Sequence, residues 1–316
     1  MMRLIKLFIL TVLTSISIIS CKKDDDSTIA PIPVRDRGEQ AIEDDEALIT
    51  YLQTHFYNEE DFQNPPEGFD YKIKFDSIAG DNIDKTPLMD SDLLTTKMIA
   101  RDDVDYTIYI LKIREGVGQH PTFADSTFQN YRGELLNQVS FDNTINPVWF
   151  DHPGAFSQTN PGIAVVALTE ALVEFGEASG FNVNNDNTVS FNDDFGVGAV
   201  FSPSGLAYFN NPTASIPAYS PLIFSFQLYR VNQADHDQDG IPSYLEDLDN
   251  DRIVANDDSD ENTLPNYLDI DDDGDGTLTK DEITVNEDGT ITFPDRNGNG
   301  IPNYLDEDEF ENVNEL

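Results

Sequence analysis

Carboxylates recur in this chain at the spacing of metal ligands. Asp235, Asp237, Asp239 and Glu246 occupy positions 1, 3, 5 and 12 of a twelve-residue unit with Gly240 at position 6, and Asp271, Asp273, Asp275 and Glu282 repeat the pattern around Gly276. Oxygens at those positions, a backbone carbonyl from position 7 (Thr277) and a glycine making the turn form an oxygen cage suited to calcium. The unit returns as Asp295, Asn297, Asn299 and Asp306 around Gly300. Looser copies are Asp247, Asp249, Asp251 and Asp258, then Asp258, Asp260, Asn262 and Asp269. Arg252 takes the place of glycine in the second unit, which marks that site as the doubtful one. The expected cofactor is structural Ca2+.

Charge follows the same division. The 316 residues hold 60 acidic and 18 basic side chains, a net charge of −42; residues 235–316 hold 27 of the acids and three of the bases. That segment is too acidic and too poor in apolar side chains to fold by burial alone, whereas the first 234 residues suffice for one good core or two small ones. Such a field repels nucleic acid and anionic lipid. A single cysteine, Cys21, excludes internal disulfides, cysteine-based zinc sites and a buried catalytic thiol. The four histidines form no pair at metal spacing, and HExxH, GxSxG and P-loop patterns are absent.

Asp271 to Glu282 matches the EF-hand loop in full, yet these are not ordinary EF-hands. Glu246 abuts Asp247, and Asp258 both ends one loop and starts another, leaving no room for flanking helices. Proline stands at position 8 in Ile-Pro-Ser-Tyr-Leu and Leu-Pro-Asn-Tyr-Leu. Close-packed loops of this kind resemble thrombospondin type 3 repeats, which wrap calcium with hardly any core; that family's cysteines are missing here. Dockerins, the other candidate, need a helix after each loop. Residues 287–290 read as a hairpin turn that separates the last loop from the rest.

Upstream, Glu39 to Phe56 reads as an amphipathic helix with Ala41, Leu48, Tyr51, Leu52, His55 and Phe56 on one face. Tyr71 to Phe75 alternates as a strand, as do Val104 to Ile113, Phe128 to Leu136 and Leu222 to Tyr229. One helical stretch, Val165 to Phe175, carries Val165, Leu168, Leu172 and Phe175 on a face. Strands around one helix imply an α+β fold, an antiparallel sheet wrapped on that helix, followed by a calcium-ordered, mostly irregular repeat module.

The order Tyr131-Arg-Gly-Glu-Leu, Phe141-Asp142, Val165 to Leu172, Pro203 to Tyr208 and Ile216 to Phe224 resembles FKBP-type peptidyl-prolyl cis-trans isomerases across residues 105 to 230. The resemblance implies a prolyl cup lined by Tyr131, Phe141, Phe150, Val165 and Phe224 with Leu168 at its floor, Asp142 as polar wall group and Tyr208 as donor to a substrate carbonyl. Leu168 stands where the family has Trp, with Trp149 placed to compensate in part. Phe209 replaces a Gly and is expected to crowd its loop, and residues 176–194 form an insertion. The implied activity is isomerisation of proline-containing polypeptides, assisting folding of exported or surface proteins. The alternative is a non-catalytic surface adhesin or peptide-binding scaffold.

The start, basic residues and then the apolar run Leu7 to Ile19, reads as a secretory signal. It ends Ile-Ile-Ser-Cys21, which resembles the lipobox of bacterial lipoproteins, so Cys21 is the expected lipidation site. Lys22-Lys23-Asp24-Asp25-Asp26 looks like outer-membrane sorting in a Gram-negative bacterium, with surface export as an extension of that reading. The expected organisation is a signal peptide (1–20), a lipidated tether (21–40), an N-terminal helix and extension (41–100), an FKBP-like domain (101–233) and acidic calcium-binding repeats (234–316).

Overall fold

A computed structural model describes residues 34–154 and 162–314. The signal segment and Cys21 lie outside the described residues. Among the described residues no helix is long and apolar enough to cross a membrane.

Helix α1 (Arg37–Thr54) begins inside the expected tether, because Asp36 caps it by accepting the Glu39 N–H at 2.9 Å. It ends before His55, since His55–Tyr57 is strand β1; a short α2 (Glu59–Gln63) and β2 (Phe75–Ser77) follow, and β2 pairs with β1. The strand expected at Tyr71 to Phe75 is therefore displaced: its first four residues lie in no strand, and Tyr71 is in the left-handed region at φ 54°. Next come β3 (Leu94–Arg101), β4 (Val104–Arg114), β5 (Ser126–Leu135), β6 (Ser140–Asn143) and β7 (Val148–Asp151). Helix α3 (Val166–Leu172) precedes β8 (Phe181–Val183), β9 (Val189–Phe191), β10 (Gly196–Ser202) and β11 (Leu222–Asn232).

Seven of these strands make one antiparallel sheet in the order β3-β4-β10-β11-β5-β6, with β7 also on β5. The fold is α+β, as expected. The line drawn at residue 100 falls inside the β3–β4 hairpin, whose turn residues Asp102 and Asp103 both take positive φ (52° and 60°), as a two-residue primed turn requires.

Alternation along β4 explains the layers. Tyr106, Ile108 and Ile110 face α3, where they meet Leu168, Leu172, Phe175, Phe224 and Phe226. Tyr109 and Leu111 face the other way, onto Leu48, Tyr51 and Leu52 of α1. The sheet is thus covered on both faces, and each fully buried Leu or Phe stabilises it by roughly 1.5–3 kcal/mol. Central strand β10 is buried at every residue, so it carries no polar alternation that periodicity could detect.

One buried carboxylate joins α1 to the loop that carries Tyr208. Asp44 accepts from the Ser204 N–H at 2.7 Å, the Ser204 hydroxyl at 2.6 Å and the Gln40 amide at 2.8 Å. Asp44→Ala strands the two Ser204 donors inside the protein and should cost about 2–3 kcal/mol. Urea unfolding is the check: a midpoint no lower than that of the exposed control Glu46→Ala would contradict it.

Candidate functional site

The eight residues expected to form a prolyl cup line a single cavity of about 350 Å³. Tyr131 comes from β5, Phe141 and Asp142 from β6, Phe150 from β7 and Phe224 from β11; Val165 caps α3, Leu168 is on its first turn, and Tyr208 follows the 204–206 turn. Rings meet edge to face, Tyr131 to Phe150 at 5.4 Å and Phe141 to Phe224 at 5.6 Å. Gly133 permits this, because a Cβ there would lie 2.5 Å from the Phe141 ring.

The polar groups are few. The Tyr131 hydroxyl donates to Asp142 Oδ2, and Asp142 Oδ1 accepts from the Asn143 N–H at 2.8 Å, which fixes the carboxylate on the wall. Burial, and then Asp142, push the pKa of Tyr131 and of Tyr208 up from the ordinary phenol value, so both phenols keep their protons near neutrality. The sequence reading did not include Gln129, which also lines the cavity. It is fully buried, and neither atom of its amide has a hydrogen-bond partner among the described residues. Its signal was a polar side chain two residues before Tyr131 on an alternating strand.

Two expectations about the departures are corrected. Trp149 does not help the floor: it is 53% exposed and packs on Phe128 at 5.3 Å, while its neighbour Phe150 points to the cavity. Phe209 does not crowd its loop either. It is buried against Tyr219 at 5.1 Å, with the Arg37 guanidinium 4.3 Å from its ring centre, and takes φ 45° where glycine would be unstrained. The insertion at 176–194 contains the β8–β9 hairpin.

The five acidic loops share one backbone arrangement. Position 6 has positive φ in each, at Gly240, Arg252, Thr263, Gly276 and Gly300 (φ 66° to 102°). In each it donates its N–H to the first aspartate: Asp235 at 3.3 Å, Asp247 at 3.0 Å, Asp258 at 2.9 Å, Asp271 at 3.1 Å and Asp295 at 3.0 Å. Arg252 therefore adopts the glycine-like turn that its identity made doubtful. Position 9 closes the loop by accepting the N–H of position 2, through Ser243, Asn266, Thr279 and Asn303 at 2.9–3.2 Å. The second loop has Ala255 there, and Asp257 accepts the Leu248 N–H instead at 3.0 Å.

Oxygens of Asp235, Asp237 and Asp239 lie within 4.8 Å of one another, as do those of Asp247, Asp249 and Asp251 and those of Asp271, Asp273 and Asp275. Glu246 and Glu282 are each 1% exposed, and neither oxygen of either has a hydrogen-bond partner among the described residues. Burial and then neighbouring aspartates push Glu246 up to about 10 and Glu282 up to about 8, the signature of carboxylates facing one another without a countercharge. A divalent cation with oxygen ligands fits these loops. The third and fifth loops partly satisfy themselves: the Asn262 amide donates to Asp269 at 2.7 Å, and Asn297 and Asn299 donate to Asp306 at 2.9 and 2.7 Å. Asp258, expected to close the second loop, accepts instead from Asn262 and Thr263, and Asp257 turns toward Asp247 and Asp249.

The repeats add a short α4 (Thr279–Glu282) and the hairpin β12 (Thr284–Val285) with β13 (Ile291–Thr292). That hairpin does not separate the last loop, because Tyr304 packs with Ile241 and Ile283 in one small core. Against the sheet, the Tyr267 hydroxyl donates to the Gly154 carbonyl at 3.0 Å, His236 Nε2 lies 3.0 Å from Asp151, and Asp125 accepts the Ala234 N–H at 3.0 Å. Arg252 reaches Glu170 on α3 at 2.7 Å, beside Lys97 at 2.9 Å. Burial pushes Glu170 up, but these two cations more than offset it and hold its carboxyl below the usual range.

A family model described as BamM C-terminal matches residues 236–297. No curated protein matches the chain in sequence. A peptidyl-prolyl cis-trans isomerase from Pseudomonas syringae pv. tomato is similar at 22% identity over 44% of this chain and 81% of that one, with a TM-score of 0.31. FkpA from Escherichia coli is similar at 20% identity over 45% of this chain and 53% of its own length, with a TM-score of 0.33. A multi-domain immunophilin from Arabidopsis thaliana follows at 16% identity, 42% and 45% coverage and a TM-score of 0.31. What the cavity can do follows from its own residues.

His152 ties the cavity rim to the sheet: its N–H donates to the Asp125 carbonyl and its own carbonyl accepts the Ile163 N–H, both at 3.0 Å. Burial pushes its imidazole down from 6.5 to about 4. Between those values the unfolded chain binds a proton that the folded chain refuses, so stability falls as pH drops through that window. Relative to His152→Gln, the unsubstituted chain should lose about 3 kcal/mol from pH 6.5 to 4. Parallel pH profiles of the two in denaturant melts would refute this.

Proposed function

We propose that this chain is a peptidyl-prolyl cis-trans isomerase carried on a calcium-ordered repeat module and anchored through lipidated Cys21 to the outer membrane of a Gram-negative bacterium. Its partners are proline-containing segments of exported or surface proteins. The observation that carries this reading is the convergence of eight separately placed residues on one aromatic cavity with a single fixed carboxylate.

The chemistry needs no nucleophile. Amide resonance opposes rotation about an X-Pro bond with a barrier of roughly 18–20 kcal/mol. The twisted amide has lost that resonance and much of its charge separation, so it is better accommodated than the planar forms in a dry apolar cup. Phe141, Phe150, Val165, Leu168 and Phe224 supply the cup. Tyr208 keeps its proton and donates to a substrate carbonyl, and Asp142, held by Tyr131, faces the polarised carbonyl carbon.

In a proline-isomerisation assay on the full chain, Asp142→Ala and Tyr208→Phe should each lower kcat/KM about tenfold, the equivalent of about 1.4 kcal/mol. Folded protein that binds a proline peptide without a rate above background would sink the enzyme reading and favour the scaffold.

In the repeats, Asp235, Asp237, Asp239 and Glu246, and Asp271, Asp273, Asp275 and Glu282, would hold calcium with the Thr277 carbonyl. The cation supplies the positive charge that the loop centres need, a structural role suited to extracellular concentrations. Millimolar calcium should raise the melting temperature of the EDTA-treated chain and change its circular dichroism. Identical melts with and without calcium would remove the cofactor from the proposal.

A further inference from the structure

The fourth loop contains an acid that its own loop pattern does not use. Asp272 stands at position 2, where the other loops have His236, Leu248, Ser259 and Arg296. Its backbone N–H is held by Thr279 Oγ1 at 3.1 Å, and its carboxylate leaves the loop. One oxygen of Asp272 lies within 4.8 Å of oxygens from Asp239 and Glu246 of the first loop.

We propose that Asp272 is a cation ligand of the first loop, so that a divalent cation held by Asp239, Glu246 and Asp272 staples the first loop to the fourth. This rests on the cation reading of the loops given above. Asp239, Glu246 and Asp272 are 2%, 1% and 1% exposed. Both oxygens of Glu246, both of Asp272 and Oδ2 of Asp239 have no hydrogen-bond partner among the described residues, and one oxygen from each of the three residues converges on the same point. Calcium binds oxygens at roughly 2.3–2.6 Å, which places ligands on opposite sides of it about 5 Å apart, and the observed separation fits inside that limit. Ile241, at position 7 of the first loop, and Ile283, which directly follows the fourth, meet in the small core with Tyr304, so the loops are already adjacent. Asp239 is common to this triad and to the Asp235, Asp237 and Asp239 cluster, which links the new position to the loop's own.

Calcium titration calorimetry and amide hydrogen exchange on the EDTA-treated full chain test the staple. In the unsubstituted chain, calcium should slow exchange in both 234–246 and 270–282. Asp272→Asn should weaken one calcium site at least tenfold and abolish calcium-dependent protection of 234–246, a segment it does not belong to. Glu246→Gln should do the reciprocal to 270–282, and serves as the test if Asp272→Asn does not fold. Unchanged affinity together with retained protection of 234–246 in Asp272→Asn overturns the staple while leaving the loops as cation sites. No calcium uptake by the unsubstituted chain overturns both.

Discussion

The repeat module is governed by carboxylates that point inward and meet one another. Each loop commits its sixth N–H to the first aspartate, and that choice of hydrogen bond curls the chain so that the third and fifth side chains converge on the same centre. Two unit charges about 4 Å apart repel by about 4 kcal/mol at an effective dielectric of 20. Several such pairs in one loop exceed what the small core of Ile241, Ile283 and Tyr304 can offset by burial. The shape of the module is therefore written in its backbone hydrogen bonds, and its stability depends on a countercharge.

That dependence reaches the sheet through a few contacts. Arg252, next to the converging acids of the second loop, extends to Glu170 on α3, and α3 also carries Leu168 at the floor of the cavity. Glu170 is buried, and its two cations come from different parts of the chain, Lys97 from β3 and Arg252 from the repeats. A buried carboxylate that loses one partner is left under-compensated, so the helix and the second loop share one electrostatic fate. At the other end of the junction, Asp125 accepts the N–H of Ala234, the residue just before the first loop, and also that of Thr122.

Residues whose role is local were legible in the sequence. The acid spacing gave away the loops, and alternation gave away β4, β5 and β11, because each shows a signal within a few residues. Strand β10 was not legible, since a strand buried on both faces has no alternation to show. The left-handed turn at Arg252 was obscured by reading glycine as obligatory. The backbone needs a positive φ there, and an arginine can supply it at a cost when its side chain finds a buried partner. Trp149 misled because neighbours on a strand point to opposite faces, so adjacency to Phe150 argues against a shared pocket. Asp272 and Gln129 were invisible for a different reason: each matters through a partner distant in sequence, or through having none.

Composition then separates the five loops physically. Where asparagine replaces aspartate, at Asn262 in the third loop and Asn297 and Asn299 in the fifth, its amide donates to the acid at position 12 and the loop centre carries less charge. Such a loop can hold its shape with its own hydrogen bonds. Where every ligand position is acidic, as in the first, second and fourth loops, no ligand side chain can act as a donor at the centre. The first and fourth loops bring Ile241, from inside one, and Ile283, just after the other, together beneath Tyr304, so two of these all-acidic loops flank the module's own core. Self-satisfied loops beside all-acidic ones thus leave a module whose shape is held locally by its own hydrogen bonds while its centre is short of countercharge.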